Sequence, residues 1–163
     1  MNEVILYDYW RSSASYRVRI ALCLLGIPYR TEPIDLVAGM HKSPEFRERN
    51  PQGLVPALQI DGVLLTQSLA IIEYLDETQK EAGFLPKDAV GRQHVRALSH
   101  VIAMDIHPVC NLGVVGNVMK MAEAHGGDPT EIRLAWMQKY IAEGLNAFEQ
   151  LLDPANSGGF CHG

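Results

Sequence analysis

Three short segments in the first half of the chain hold residues able to do chemistry. The first is Arg11-Ser12-Ser13-Ala14-Ser15, a small polar loop between an apolar run and a helical pattern. A loop that feeds a helix presents unpaired backbone N–H groups and the positive end of the helix dipole, and both favour an anion. A serine hydroxyl placed there can donate to a thiolate. Such a bond stabilises the charged form of the thiol and lowers its pKa. The same serines also suit plain N-caps. No neighbouring pattern suggests a Ser-His-Asp arrangement, so serine is not read as a nucleophile. The second segment, Val55-Pro56, precedes a short strand. A cis bond there would turn the Val55 backbone outward, where it could pair with an extended peptide. The third, Gln67-Ser68, opens a helix. Ser68 either caps that helix or, with its free N–H groups, takes a ligand carboxylate.

The elements that must carry these segments can be read from periodicity. Val4-Ile5-Leu6-Tyr7 suits a buried strand. Val18, Ala21, Leu22 and Leu25 then recur at helical spacing, and Gly26 and Pro28 stop the helix. A second strand is expected over residues 29–36, and a short irregular helix within residues 39–50. Asp61-Gly62 between two apolar runs predicts a tight β-hairpin. A helix then runs from Ser68 to about Gln79, with Leu69, Ile72 and Leu75 on one face.

Residues 80–88 contain Gly83 and Pro86 and read as a linker. Everything beyond is helical. Val95, Leu98, Ile102 and Ile106 form one stripe, and Pro108 should kink or divide it. Leu112, Val115, Met119 and Ala122 form another, and Leu134, Met137, Ile141, Leu145, Phe148 and Leu152 a third. The expected division is an α/β domain over residues 1–83 and an all-helical domain over residues 84–163.

The chain of 163 residues has 19 acidic and 14 basic side chains, a net charge of −5, and is 47% hydrophobic. That balance predicts a compact fold and argues against a nucleic-acid partner. No window is expected to be apolar enough for a membrane span, and no basic leader opens the chain. A cytoplasmic location follows as an expectation. The three cysteines, Cys23, Cys110 and Cys161, lack metal-ligand spacing, so neither a disulfide framework nor a metal site is expected. Cys23 falls within an apolar helical pattern and reads as a buried, inert thiol.

Taken together and in this order, the three segments resemble the zeta class of the glutathione transferase superfamily. The run Arg11-Ser-Ser-Ala-Ser-Tyr-Arg-Val-Arg-Ile-Ala-Leu22 is similar to that class's signature. Asn50-Pro51, Val55-Pro56, Gln67-Ser-Leu-Ala-Ile-Ile-Glu-Tyr-Leu75 and Asp105-Ile-His-Pro-Val-Cys-Asn-Leu112 match in spacing. The resemblance implies a thioredoxin-like domain joined to a helical one, with glutathione as cofactor. Ser12 or Ser13 would bond the glutathione sulfur, and Val55 its cysteinyl backbone. Gln67 and Ser68 would hold its γ-glutamyl carboxylate, and His41 would contact its glycyl end. His107 and Asn111 would border the site from the helical half. Arg11 would grip a substrate carboxylate with its guanidinium fork.

The class includes maleylacetoacetate and maleylpyruvate isomerases. The implied activity is therefore glutathione-dependent cis–trans isomerisation of maleylacetoacetate to fumarylacetoacetate, in tyrosine catabolism. Maleylpyruvate isomerisation, conjugation or dehalogenation of small α-halo acids, and a non-catalytic glutathione-binding scaffold are the alternatives. A homodimer is implied by the same resemblance. Three departures stand out. Ala14 replaces a cysteine common in the class, Cys110 and Gly113 replace Asn and Arg of many bacterial relatives, and the helical domain is expected to be truncated after Gly163.

Overall fold

The computed structural model describes residues 3–80, 82–152 and 160–162. Residues 153–159 and 163 of the expected helical domain lie outside them. The chain divides into two units, Met1–Leu85 and Pro86–Gly163.

The first unit holds β1 (Ile5–Asp8), α1 (Ser13–Leu24), β2 (Arg30–Pro33), α2 (Pro44–Arg49), β3 (Ala57–Ile60), β4 (Val63–Thr66) and α3 (Ser68–Thr78). A single 3₁₀ turn, Met40–Lys42, precedes α2. The strand order is β2-β1-β3-β4, with β1 parallel to β2 and the other pairs antiparallel. This is the thioredoxin-like sheet of the expected α/β class. Its layering follows from the two-residue period of β1. Leu6 points to one face, where it joins Val18, Ala21 and Leu22 of α1, Leu58 and Ile60 of β3, and Ile71 and Leu75 of α3. Ile5 and Tyr7 point to the other, where they meet Ile34, Phe46 of α2 and Ala57. Each fully buried leucine or isoleucine contributes about 1.5–3 kcal/mol through removal of its surface from water.

Turn chemistry does the rest. Asp61 (φ 53°) and Gly62 (φ 80°) adopt left-handed backbone and join β3 to β4 in register, Ile60 opposite Val63. The second strand is shorter than expected, because only residues 30–33 reach β1. Cys23 is exposed, which corrects the buried thiol read from sequence. It lies about 100° round the helix from Leu22, off the face that packs on the sheet.

The second unit is helical: α4 (Ala89–His100), a π-helical segment (Val101–Ile106), α5 (His107–Cys110), α6 (Leu112–Ala124) and α7 (Pro129–Leu151). The Asp88 and Asp128 carboxylates cap α4 and α7, accepting from Gly91 N at 2.8 Å and Thr130 N at 2.7 Å. Pro108 acts as expected, by division. It has no N–H to donate, and the turn before it widens so that His107 N–H donates to the carbonyl of Ile102, five residues back. Asn111 then takes extended backbone (φ −72°, ψ 161°) and ends α5. The stripe along α7 is only partly covered: Met137, Ile141 and Phe148 are half-buried, while Leu134 and Leu145 are exposed.

One expectation fails on composition. The helical stretch Ala89–Ala124 contains an eighteen-residue window of mean hydropathy 1.3, long and apolar enough by that measure to cross a membrane, and 6% of the window is buried. Asp105, His107 and the extended Asn111 interrupt the stretch. A membrane core leaves such a backbone break without water to satisfy it.

Gly144 of α7 meets the π-helical segment directly. A Cβ there would overlap Cγ1 and Cδ1 of Ile106, which is itself buried. Gly144→Ala is expected to lower stability by about 1–3 kcal/mol through overpacking. Gly116→Ala, where a Cβ meets nothing within 4 Å, should be neutral or stabilising by a few tenths up to about 1 kcal/mol. Urea midpoints of the two variants check this, and equal midpoints would show that the contact is soft.

Candidate functional site

The sheet register brings the first-unit candidates to one end. Tyr7 near the end of β1 pairs with Ala57, and Ala57 pairs with Thr66. The Tyr9–Ser12 loop, Val55-Pro56 and Gln67-Ser68 therefore all emerge at the carboxyl end of β1. The segment after β2, which leads to His41, leaves from that end too, because Ile34 N donates to Asp8 O at 2.7 Å.

Ser12 is the N-cap of α1, and its Oγ accepts from Ser15 N at 3.1 Å. The cap uses an oxygen lone pair and leaves the hydroxyl proton to donate elsewhere, so capping and thiolate stabilisation are compatible. Ser13 is exposed at the first helical position. Ser15 is wholly buried, and its hydroxyl has no partner among the described residues. Arg11 is exposed, with its guanidinium carbon 5.5 Å from the centre of the Trp10 ring.

Val55-Pro56 is cis. Val55 lies just outside the ladder, which begins at Ala57. A buried asparagine holds this approach, a role not visible in the sequence. Asn50, 2% exposed, donates from Nδ2 to Leu54 O at 2.8 Å and accepts at Oδ1 from Gln52 N at 3.2 Å. Gly53 (φ 62°) comes so near that a Cβ there would sit 2.7 Å from the His41 carbonyl oxygen. Only a residue without a side chain fits against that backbone.

Gln67, and not Ser68, takes the N-cap position of α3. Its backbone is strained for a non-glycine residue (φ 68°, ψ 109°), a conformation that costs about 1–3 kcal/mol and collects at ligand-binding positions. Its amide donates to Gln52 Oε1 at 2.9 Å. Ser68 is buried, and its hydroxyl accepts from Arg17 Nη1 at 2.8 Å, so it does not cap the helix. That corrects the reading of Ser68 as an ordinary cap. The reason is backbone geometry: Ser68 already has helical φ/ψ, one residue inside the cap.

In the second unit, His107 opens α5 after the π-helical segment and is half-buried. Asn111 is the N-cap of α6, with Oδ1 accepting from Val114 N at 2.9 Å. The Val109 carbonyl, left without a helical partner by the break at Asn111, accepts from Trp136 Nε1 of α7 at 2.9 Å. That bond and the Gly144 contact seat the segment carrying His107 and Asn111 on α7.

Residues 11–78 match the family model described as Glutathione S-transferase, N-terminal domain. The maleylacetoacetate isomerase of Rhizobium meliloti (strain 1021) is 63% identical over 162 residues, covering 99% of this chain and 74% of the relative. The chain belongs to the zeta class of glutathione transferases. A solved structure of that class, the holo form of a bacterial maleyl pyruvate isomerase, superposes with a TM-score of 0.89 at 42% identity, covering 98% of this chain and 74% of the neighbour. A maleylacetoacetate isomerase from Methylobacterium extorquens AM1, solved with malonate and GSH bound, superposes with a TM-score of 0.89 at 42% identity, covering 98% of this chain and 73% of the neighbour.

The zeta-class cofactor is glutathione, and several features of the first unit fit it. Strained Gln67 puts the first N–H groups of α3 at the ligand end of the sheet. His41 Nδ1 and Arg17 Nη2 are buried without partners among the described residues, ready for a polar ligand. Burial first, then the charges of Lys42 and Arg47, hold the His41 imidazole below its ordinary value of 6.5. As pH falls through that value, the unfolded chain takes up a proton at this position before the folded chain does. The stability present above 6.5 is therefore lost below it. His41→Asn should flatten the fall in urea midpoint between about pH 7.5 and about pH 5.5. An unchanged slope would remove His41 as its source.

Proposed function

We propose that this zeta-class enzyme isomerises maleylacetoacetate to fumarylacetoacetate in the breakdown of aromatic amino acids, with glutathione regenerated in each turnover. The observation that carries the substrate assignment is the 63% identity to the Rhizobium meliloti maleylacetoacetate isomerase over 99% of this chain. Maleylpyruvate is a second candidate, favoured by the 0.89 TM-score against the maleyl pyruvate isomerase.

When bound, glutathione supplies a thiol that adds reversibly to the substrate's carbon–carbon double bond and leaves a single bond free to rotate. The residues of the chain do the remaining work. Ser12 is the thiolate donor in this reading. Its oxygen accepts from Ser15 N, its proton is left to donate, and a hydroxyl donor at a helix N-terminus favours a charged sulfur. Ser13, exposed at the next position, is a supporting residue of the same loop. Val55 holds the cysteinyl backbone through main-chain bonds. Gln67 and Ser68 hold the γ-glutamyl carboxylate, and His41 faces the glycyl end. Arg11 takes the substrate carboxylate, where a planar fork gives two parallel bonds. His107 and Asn111 are the candidate residues of the helical unit.

The assembly we propose is a homodimer in the cytoplasm. The exposed apolar side chains Leu54, Val63 and Leu64 of the first unit support the pairing. The three free cysteines agree with a reducing compartment.

The test is a spectroscopic assay with catalytic glutathione. Loss of the cis-enedione absorbance at constant free thiol is the expected result, and stoichiometric thiol loss would mark conjugation instead. Ser12→Ala should reduce kcat/KM by about 10²–10³, as removal of one aimed donor does elsewhere. The Ser12→Ala loss should shrink as pH is raised and the thiol ionises unaided. Full activity of Ser12→Ala at neutral pH would transfer the role to Ser13.

A further inference from the structure

Two arginines of α1 are treated differently by the fold. Arg19 has a carboxylate of its own: its Nη1 lies 2.8 Å from Asp8 Oδ2, and its Nη2 donates to Trp10 O at 3.2 Å. Arg17 has no acidic partner among the described residues. Its Nη1 donates to the Ser68 hydroxyl at 2.8 Å, while its Nη2 is buried and bonds none of them. Burial holds its pKa below the ordinary arginine value. A guanidinium taken from water without an anion is costly, and an anion brought by a ligand offsets that cost.

The bond to Ser68 also has a direction. Arginine has donors only, and the hydroxyl has one proton. A Ser68 oxygen that accepts from Arg17 sends its own proton away from α1. Ser68 is the first helical residue of α3, so that proton and the free N–H groups of the first turn share one end of the helix.

We propose that Arg17 is a positioning residue for the ligand carboxylate at the start of α3, orienting the Ser68 hydroxyl as a donor to it. The assignment rests on the reading of this end of α3 as the γ-glutamyl subsite. It goes beyond that reading by making the subsite depend on a residue 51 positions earlier in the chain.

A cycle of two changes isolates the effect. Binding of glutathione and of 4-aminobutyryl-cysteinylglycine, which lacks only the α-carboxylate, is measured by calorimetry for the natural chain and for Arg17→Gln. Removing the carboxylate should weaken binding to the natural chain about 30-fold, the scale of a hydrogen bond to a charged group. For Arg17→Gln the same removal should weaken binding less than about threefold, since the carboxylate has already lost its partner. Arg17→Lys, which keeps a charged donor, should recover part of the difference. Circular dichroism confirms that each variant folds. If Arg17→Gln does not fold, Arg17→Met, which keeps the apolar stem and removes the donors, takes its place in the cycle with the same expected factor. An equal loss in natural and variant chains overturns the positioning role while leaving the subsite intact. A natural chain that binds both ligands equally overturns the subsite itself.

Discussion

A buried carboxylate at the end of β1 organises the ligand end of this protein. Asp8 is 4% exposed, and burying a carboxylate is costly unless it is paired. Arg19 provides the pairing at 2.8 Å and uses its other nitrogen on the Trp10 carbonyl. One side chain of α1 thus ties the last residue of a central strand to the loop that follows it. That loop carries Arg11 and ends in Ser12, and its path decides where the cap hydroxyl points. The same helix, held at this register, lays Arg17 beside Ser68 of α3. Removing either member of the Asp8–Arg19 pair would leave the other as an isolated charge and loosen both contacts together.

Around this pair the first unit gathers its polar groups at the edge and its apolar groups in the centre. Leu6, Leu22, Leu58, Ile71 and Leu75 form a dry core between sheet and helices. Ser12, Val55, Gln67 and Ser68 occupy its rim, where three connections converge. Strain is concentrated at that rim: Gln67 has left-handed φ at the start of α3, and Gly53 presses on the His41 carbonyl. The surrounding turns are satisfied by Asn50 and Gln52, so the strained backbone has fixed neighbours on each side. In the helical unit the equivalent device is the π-helical turn before Pro108, with its freed carbonyl taken by Trp136.

Much of this is legible in the order of residues. The Asp61-Gly62 turn, the apolar stripe of α1, the stop at Gly26 and the division at Pro108 each follow from local preferences, because turns and amphipathic helices are set by residues within a few positions. The candidate site segments are also local, since a loop-to-helix junction announces itself by polarity and spacing. The family follows from their order along the chain, and the match of residues 11–78 to the glutathione transferase N-terminal domain agrees with it.

What the chain alone determined, then, was the set of elements, the loop serines, Val55-Pro56 and the Gln67-Ser68 junction, all encoded within short windows. The tertiary structure decided which partners those groups have. Ser68 is bonded to Arg17 across 51 residues, Trp136 to Val109 across 27, and Cys23 faces solvent although Leu22 beside it is core. Such pairings depend on which faces of α1 and α3 meet over the sheet, and no local pattern specifies that. Burial then gives each pairing its chemical weight: the Ser68 hydroxyl, buried one residue inside the cap, has its oxygen engaged by the Arg17 guanidinium.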